Sequence, residues 1–153
     1  MKESPAGEAG AGPKTLALVS CVKDKLACTS RAIEMYQGFF FQASLRYAAS
    51  FVPDAIYILS GKYGLLSPDE MIEPYDCNLA EQTQAYRDAW SQRVLVSLGQ
   101  VSHPRRDRYI LLAEPAYRDG LVPHLDHVVV PFAGLSLEQQ GLLYREWYGP
   151  DDD

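Results

Sequence analysis

Seventeen consecutive residues, 60–76 (SGKYGLLSPDEMIEPYD), bring together one lysine, two tyrosines, two glycines, two prolines and four carboxylates. Ser60, Lys62, Tyr63 and Gly64 supply a hydroxyl, a cation, a phenol and a flexible backbone position. Such a set suits an anion, since glycine lets backbone N–H groups approach it and lysine adds a point charge. The G-x-x-x-x-G-K-[ST] spacing of a P-loop is absent. A strand-to-loop turn carrying a surface lysine is the plainer reading of the same residues. Pro68 and Pro74 stiffen the connection, and a connection this long in a small domain is usually functional. Tyr75 and Asp76 close it. Asp76 could cap the next helix or present a carboxylate to a ligand.

Three further stretches carry residues that packing does not need. Ser20, Cys21, Lys23 and Lys25 (in SCVKDK) form a small polar and cationic mouth. Glu114 follows an apolar run, with Tyr117 and Arg118 close behind (EPAYRDG), and Gly134 sits in PFAGLS. Tyr63, Tyr75 and Tyr117 offer planar surfaces for a base or similar ring. Cys21 lacks a neighbouring histidine, which weakens it as a nucleophile. His103, His124 and His127 fall on surface segments, so neither a Cys-His pair nor a Ser-His-Asp triad is supported. Cys21 and Cys28 lack Cys-x-x-Cys spacing, and three cysteines do not make a disulfide framework. Reduced thiols, no metal ion and no cofactor are expected.

The elements that must position these residues follow from hydrophobic pattern. Four short, nearly continuous apolar runs, 16–21 (LALVSC), 55–59 (AIYIL), 109–113 (YILLA) and 127–131 (HVVVP), read as strands covered on both faces. Each precedes a helical pattern. Ile33, Tyr36, Phe40, Ala43, Tyr47 and Phe51 recur at three- and four-residue steps. Tyr86, Trp90, Val94 and Leu98 recur at four. A short segment over 116–125 is interrupted by Gly120 and Pro123, and Ser136 with Gln139 forms a capping box opening a last helix. The alternation predicts a three-layer α/β/α domain with a mostly parallel four-stranded sheet. Ligands of such sheets bind beyond the carboxyl ends of the strands, and all four chemically rich stretches fall there.

The 153-residue chain has a net charge of −6, and half of the excess is Asp151, Asp152 and Asp153. The acidic balance excludes broad binding along duplex phosphates, which needs clustered lysine and arginine. No apolar run is long enough to span a bilayer, so the expectation is a cytoplasmic protein without a membrane partner. Residues 1–14 read as a disordered leader, 15–148 as one domain and 149–153 as an acidic tail.

With these residues in view, the chain resembles a bacterial and phage family known only as a domain of unknown function, whose pattern is ILSxKYGLLxPxxxIxPYD. The likeness rests on the stretches VSCVKDKLACTSRAIEMYQGFFFQASLRYA, YILSGKYGLLSPDEMIEPYDCNL and VPFAGLSLEQQGLLY, and it covers nearly all of residues 15–147. Its central block is also similar, more distantly, to the peroxide-stress YaaA family, which is associated with DNA binding. Both look like relatives of the uracil-DNA-glycosylase-like fold. The resemblance singles out Cys21, Lys23, Lys25, Ser60, Lys62, Tyr63, Gly64, Pro74, Tyr75, Asp76 and Gly134. The chain departs from the pattern at Cys28, where proline is common, and at Leu137-Glu138, which replaces an Ile-Gly step.

The expected function is therefore a base-handling enzyme, an N-glycosidase or DNA-glycosylase-like hydrolase acting on a nucleotide, a single strand or a flipped base. Asp76 and Glu114 would be its catalytic carboxylates. A non-catalytic nucleotide- or nucleic-acid-binding protein of DNA repair or stress response is the alternative. A scaffold whose motif merely packs loops is a third reading.

Overall fold

Leu16, Ala17, Leu18 and Val19 are all buried. Successive side chains of a strand point to opposite faces, so this run needs cover on both sides. The computed structural model, which describes residues 12–149, supplies it. Leu16 and Leu18 pack with Leu59, Trp90, Leu98 and Leu111 on one face. Ala17 and Val19 pack with Phe41, Ile58, Ile110 and Tyr144 on the other. Each large apolar side chain buried this way contributes roughly 1.5–3 kcal/mol.

In chain order the elements are β1 (Thr15–Ser20), β2 (Ser30–Arg31), α1 (Ala32–Met35), α2 (Phe39–Ser50) and β3 (Ala55–Ser60). There follow β4 (Gly64–Leu66), β5 (Met71–Ile72), α3 (Gln84–Val101), β6 (Arg108–Leu112), α4 (Pro115–Arg118), β7 (His127–Val129) and α5 (Leu137–Tyr148). The main sheet runs β4-β3-β1-β6-β7. Its β3-β1-β6-β7 part is parallel, with Leu18 opposite both Tyr57 and Leu111. The α/β class and the mostly parallel sheet agree with the sequence.

The strand count does not: the sheet has five strands, not four. The fifth, β4, pairs antiparallel with β3, Ser60 opposite Gly64 and Ile58 opposite Leu66. What reads in sequence as the start of one long loop is a tight turn. Ser60 Oγ accepts from the backbone N–H groups of Lys62 (3.2 Å) and Tyr63 (2.9 Å), and Gly64 takes a φ of 80° that other residues avoid. Three residues are too few to show a strand period, so the pattern hides this strand. Farther on, β5 returns to pair with β2 as a two-stranded antiparallel ribbon.

The first helical pattern is likewise two helices, broken at Gly38. In α3 the four-residue stripe holds as read: Trp90, Val94 and Leu98 are buried, and Trp90 Nε1 donates to the Ser60 carbonyl at 2.7 Å. The capping box at the start of α5 is complete, with Ser136 N–H to Gln139 Oε1 at 2.8 Å and Gln139 N–H to Ser136 Oγ at 3.1 Å. Among the described residues no helix is long and apolar enough to cross a membrane. Most of the expected leader and tail lies outside the described residues.

The topology puts a crevice in one place. The chain leaving β1 crosses the α2 face to β3, whereas the chain leaving β6 turns into α4, whose Tyr117 packs on the α3 face. Adjacent parallel strands whose connections part to opposite faces leave a gap beyond their carboxyl ends. The gap lies between Ser20 and Leu112.

Candidate functional site

That gap is a cleft of about 450 Å³. The β1 connection lines it with Ser20, Cys21, Lys23 and Lys25, the β6 connection with Glu114 and Tyr117, and the chain before α3 with Asp76. Seven of the residues predicted from sequence thus share one wall system. The other six do not line it. Ser60, Tyr63, Gly64 and Tyr75 belong to the packing beneath and beside it, Lys62 points to solvent over the Tyr63 ring (5.2 Å), and Gly134 shapes the exposed turn into α5. The three histidines sit with the opposite end of the sheet, His127 at the amino end of β7. Among the described residues no group of three histidines, cysteines, aspartates or glutamates could hold a metal.

Asp76 caps nothing. Asn78 caps the 3-10 turn Leu79–Glu81, and Thr83 caps α3 by accepting from the Tyr86 N–H. The Asp76 side chain is left exposed on the cleft. Glu114 is different. It occupies the N-cap position of α4 without capping it, is half-buried, and its burial raises its pKa above the ordinary carboxylate range. The two carboxyl groups on the cleft thus differ in environment: Asp76 faces water, and Glu114 has lost part of it.

Tyr117 is buried, edge-on to Trp90 at 5.5 Å. Its hydroxyl accepts from the Leu79 N–H at 3.3 Å and meets the Cys21 thiol at 3.6 Å, and burial pushes its pKa up. It therefore ties three cleft-lining segments together instead of presenting a free ring. A second network holds the motif loop. The Ser60 hydroxyl donates to Tyr75 Oη at 2.7 Å, and Tyr75 Oη meets Tyr36 Oη at 2.6 Å. Burial first, and then the nearby Cys21 thiol, raise the pKa of Tyr75.

Gly61 serves the same assembly by its size. A Cβ there would lie 2.5 Å from the Cys77 carbonyl oxygen, a backbone atom that cannot step aside alone. Gly61→Ala is expected to cost about 1–3 kcal/mol by overpacking, read as a lower urea midpoint, and to displace the segment that carries Asp76. An unchanged midpoint would show that the 77–79 backbone is free to move.

Sequence reasoning missed the helical half of the lining: Phe40 and Ser44 from α2, and Leu137, Gln140 and Tyr144 from α5. Leu137, Gln140 and Tyr144 follow helical spacing on one face, so a glutamine within an apolar stripe was the available signal. Phe40 is half-buried and stands edge-on to Tyr144 at 5.2 Å, which makes it an aromatic surface on the cleft.

Comparison with known proteins places residues 16–146 within the model of a family described as "Family of unknown function (DUF6884)". The chain is also similar to a UPF0246 protein of Phenylobacterium zucineum (strain HLK1), at 29% identity over 83 residues. That match covers 51% of this chain and 31% of the relative, so the chain spans about a third of the relative's length. UPF0246 is the YaaA family, and the likeness expected from the motif is supported to that extent. No solved structure matches.

Proposed function

The chain belongs to the DUF6884 family of unknown function, and from the chemistry of its cleft we propose that it is an N-glycosidase-like hydrolase acting on a nucleotide, a single strand or a flipped base. The observation that carries this reading is the meeting of Asp76, Glu114, Lys23 and Lys25 around one cleft at the switch point of the sheet. A space of about 450 Å³ suits one nucleotide, within the roughly 300–1,000 Å³ common for small-molecule sites. The acidic body disfavours a free duplex.

Cleaving an N-glycosidic bond builds positive charge on the sugar and negative charge on the departing base. Glu114, held protonated toward higher pH by its burial, gives its proton to the base nitrogen as the C1′–N bond breaks and the electron pair leaves with the base. Asp76 faces the developing cation and takes a proton from the water that adds at C1′. The products are a free base and a sugar phosphate. Phe40 offers the ring surface for the base, in place of the tyrosines singled out from sequence. The uracil-DNA-glycosylase-like fold belongs to the same reading, supported by the parallel core and its crevice.

A non-catalytic binding protein would use the same cleft, and Asp76→Asn separates the two. In the enzyme, Asp76→Asn binds a nucleoside monophosphate about as well as wild type in calorimetric titration but releases base at least 100-fold more slowly. Equal, vanishing release by both proteins, with intact binding, would favour the binding module.

A further inference from the structure

We propose that Lys25 is a pre-positioned phosphate anchor and that Tyr75, instead of stacking a base, is the positioning residue that holds it. The proposal rests on the reading of the cleft as a nucleotide site and narrows the substrate to one bearing a phosphate on its sugar.

The backbone of Lys25 is fixed first. It forms an isolated bridge with Tyr36, flanked by hydrogen bonds from Leu26 N–H to the Met35 carbonyl and from Gln37 N–H to the Asp24 carbonyl, both 2.9 Å. The side chain is fixed next. Its Nζ donates to the Lys23 carbonyl at 3.1 Å and lies 4.5 Å from the centre of the Tyr75 ring, with the Tyr36 ring at 5.9 Å. A ring face attracts an ammonium without neutralising it. Among the described residues no carboxylate pairs with Lys25. The half-buried Lys25, a residue of the cleft lining, thus has its ammonium directed by the Tyr75 ring and the Lys23 carbonyl, with no carboxylate among the described residues neutralising it.

The Tyr75 ring that carries it is itself locked. Its hydroxyl is bonded to Ser60 and Tyr36, and its edge meets the Tyr63 ring at 5.5 Å. This explains why the motif needs a serine and two tyrosines that never line the cleft. They build the platform. Lysine is ordinarily a mobile cation, and holding it beforehand spares a ligand the cost of ordering it. The cationic residues Lys23 and Lys25 come from the β1 connection, and the acidic Asp76, Glu81 and Glu114 from the other two. A sugar phosphate laid across the cleft would set its phosphate by the lysines and, by the carboxylates, the sugar carbon on which positive charge develops as the bond breaks.

Ribose 5-phosphate tests this without knowledge of the base. Wild type should bind ribose 5-phosphate at least tenfold more tightly than ribose, and Lys25→Ala should remove most of that preference. Tyr75→Leu should lose the preference to a similar degree, and the double variant should lose little more, because both changes remove one device. Tyr75→Phe keeps the ring but breaks the hydroxyl bonds, and should retain part of the preference; it also covers the case in which Tyr75→Leu fails to fold. Equal wild-type affinity for ribose and ribose 5-phosphate would overturn the proposal, as would additive losses in the double variant. Absence of base release with the Lys25-dependent preference intact would instead overturn only the hydrolase reading.

Discussion

Replacing Glu114 by glutamine is expected to slow base release about 10²–10⁴-fold, the usual worth of a positioned general acid, with little change in substrate affinity. The amide keeps the size of the side chain at the head of α4 but has no proton to give. The pH dependence follows from burial. A carboxyl group whose pKa is raised in the folded protein stays protonated to higher pH, so wild-type turnover should fall as pH rises through that raised value. The Gln variant should lack this limb. A parallel loss of affinity and rate, or an unchanged alkaline limb, would remove Glu114 from the acid role.

The same burial makes a stability prediction of opposite sign. An acid with a raised folded pKa carries its full stability only when protonated, and loses it as pH rises through the folded value. Glu114→Gln should therefore raise the Tm at pH 8, and the gain should fade by pH 4. A site that gives up stability for chemistry behaves this way.

The second large effect lies at the far end of the sheet. Asp107→Ala is expected to destabilise the protein by about 3 kcal/mol without impairing the chemistry of molecules that remain folded. The Asp107 side chain is fully buried beside the amino end of β6. It accepts from the backbone N–H groups of Lys14 (2.9 Å) and His103 (2.8 Å) and from Arg106 Nε (2.9 Å). Burial alone would raise its pKa, but Arg106 and the two N–H groups outweigh burial and hold it down to about 2. Since the folded pKa is depressed, this contribution is complete above the unfolded aspartate value of about 3.9 and is lost as pH falls toward 2. Urea titrations at pH 7 and pH 2.5 check both statements. The gap between wild type and variant should be large at the first and much reduced at the second.

The parts of the fold that sequence made legible are those where one physical rule acts alone. The run 16–19 has no polar face, so it had to be covered twice, and the alternation of such runs with helical stripes implied a parallel sheet. From that sheet followed the edge where Ser20, Cys21, Lys23, Lys25, Asp76, Glu114 and Tyr117 gather. What sequence hid depends on several segments at once. The strand β4 is three residues long and exists because Ser60 and Gly64 close a turn. Tyr75 looks like a ring for a base until its hydroxyl is seen locked between Ser60 and Tyr36, residues 15 and 39 positions away in the chain. Lys62, prominent in the motif, faces solvent, whereas Lys25, one of two lysines that sequence placed at the mouth, lies over the Tyr75 ring, a contact no spacing could show.

An N-glycosidase must break the bond between a sugar and its base. The most direct measurement is chromatographic detection of free base after incubating the protein with nucleoside monophosphates and with single-stranded oligonucleotides containing ordinary and modified bases. At least one substrate should yield free base and an equal amount of sugar phosphate or abasic site, in an amount exceeding the protein and abolished by combining Asp76→Asn with Glu114→Gln. No base released from any of them, or release that survives the double substitution, would contradict it.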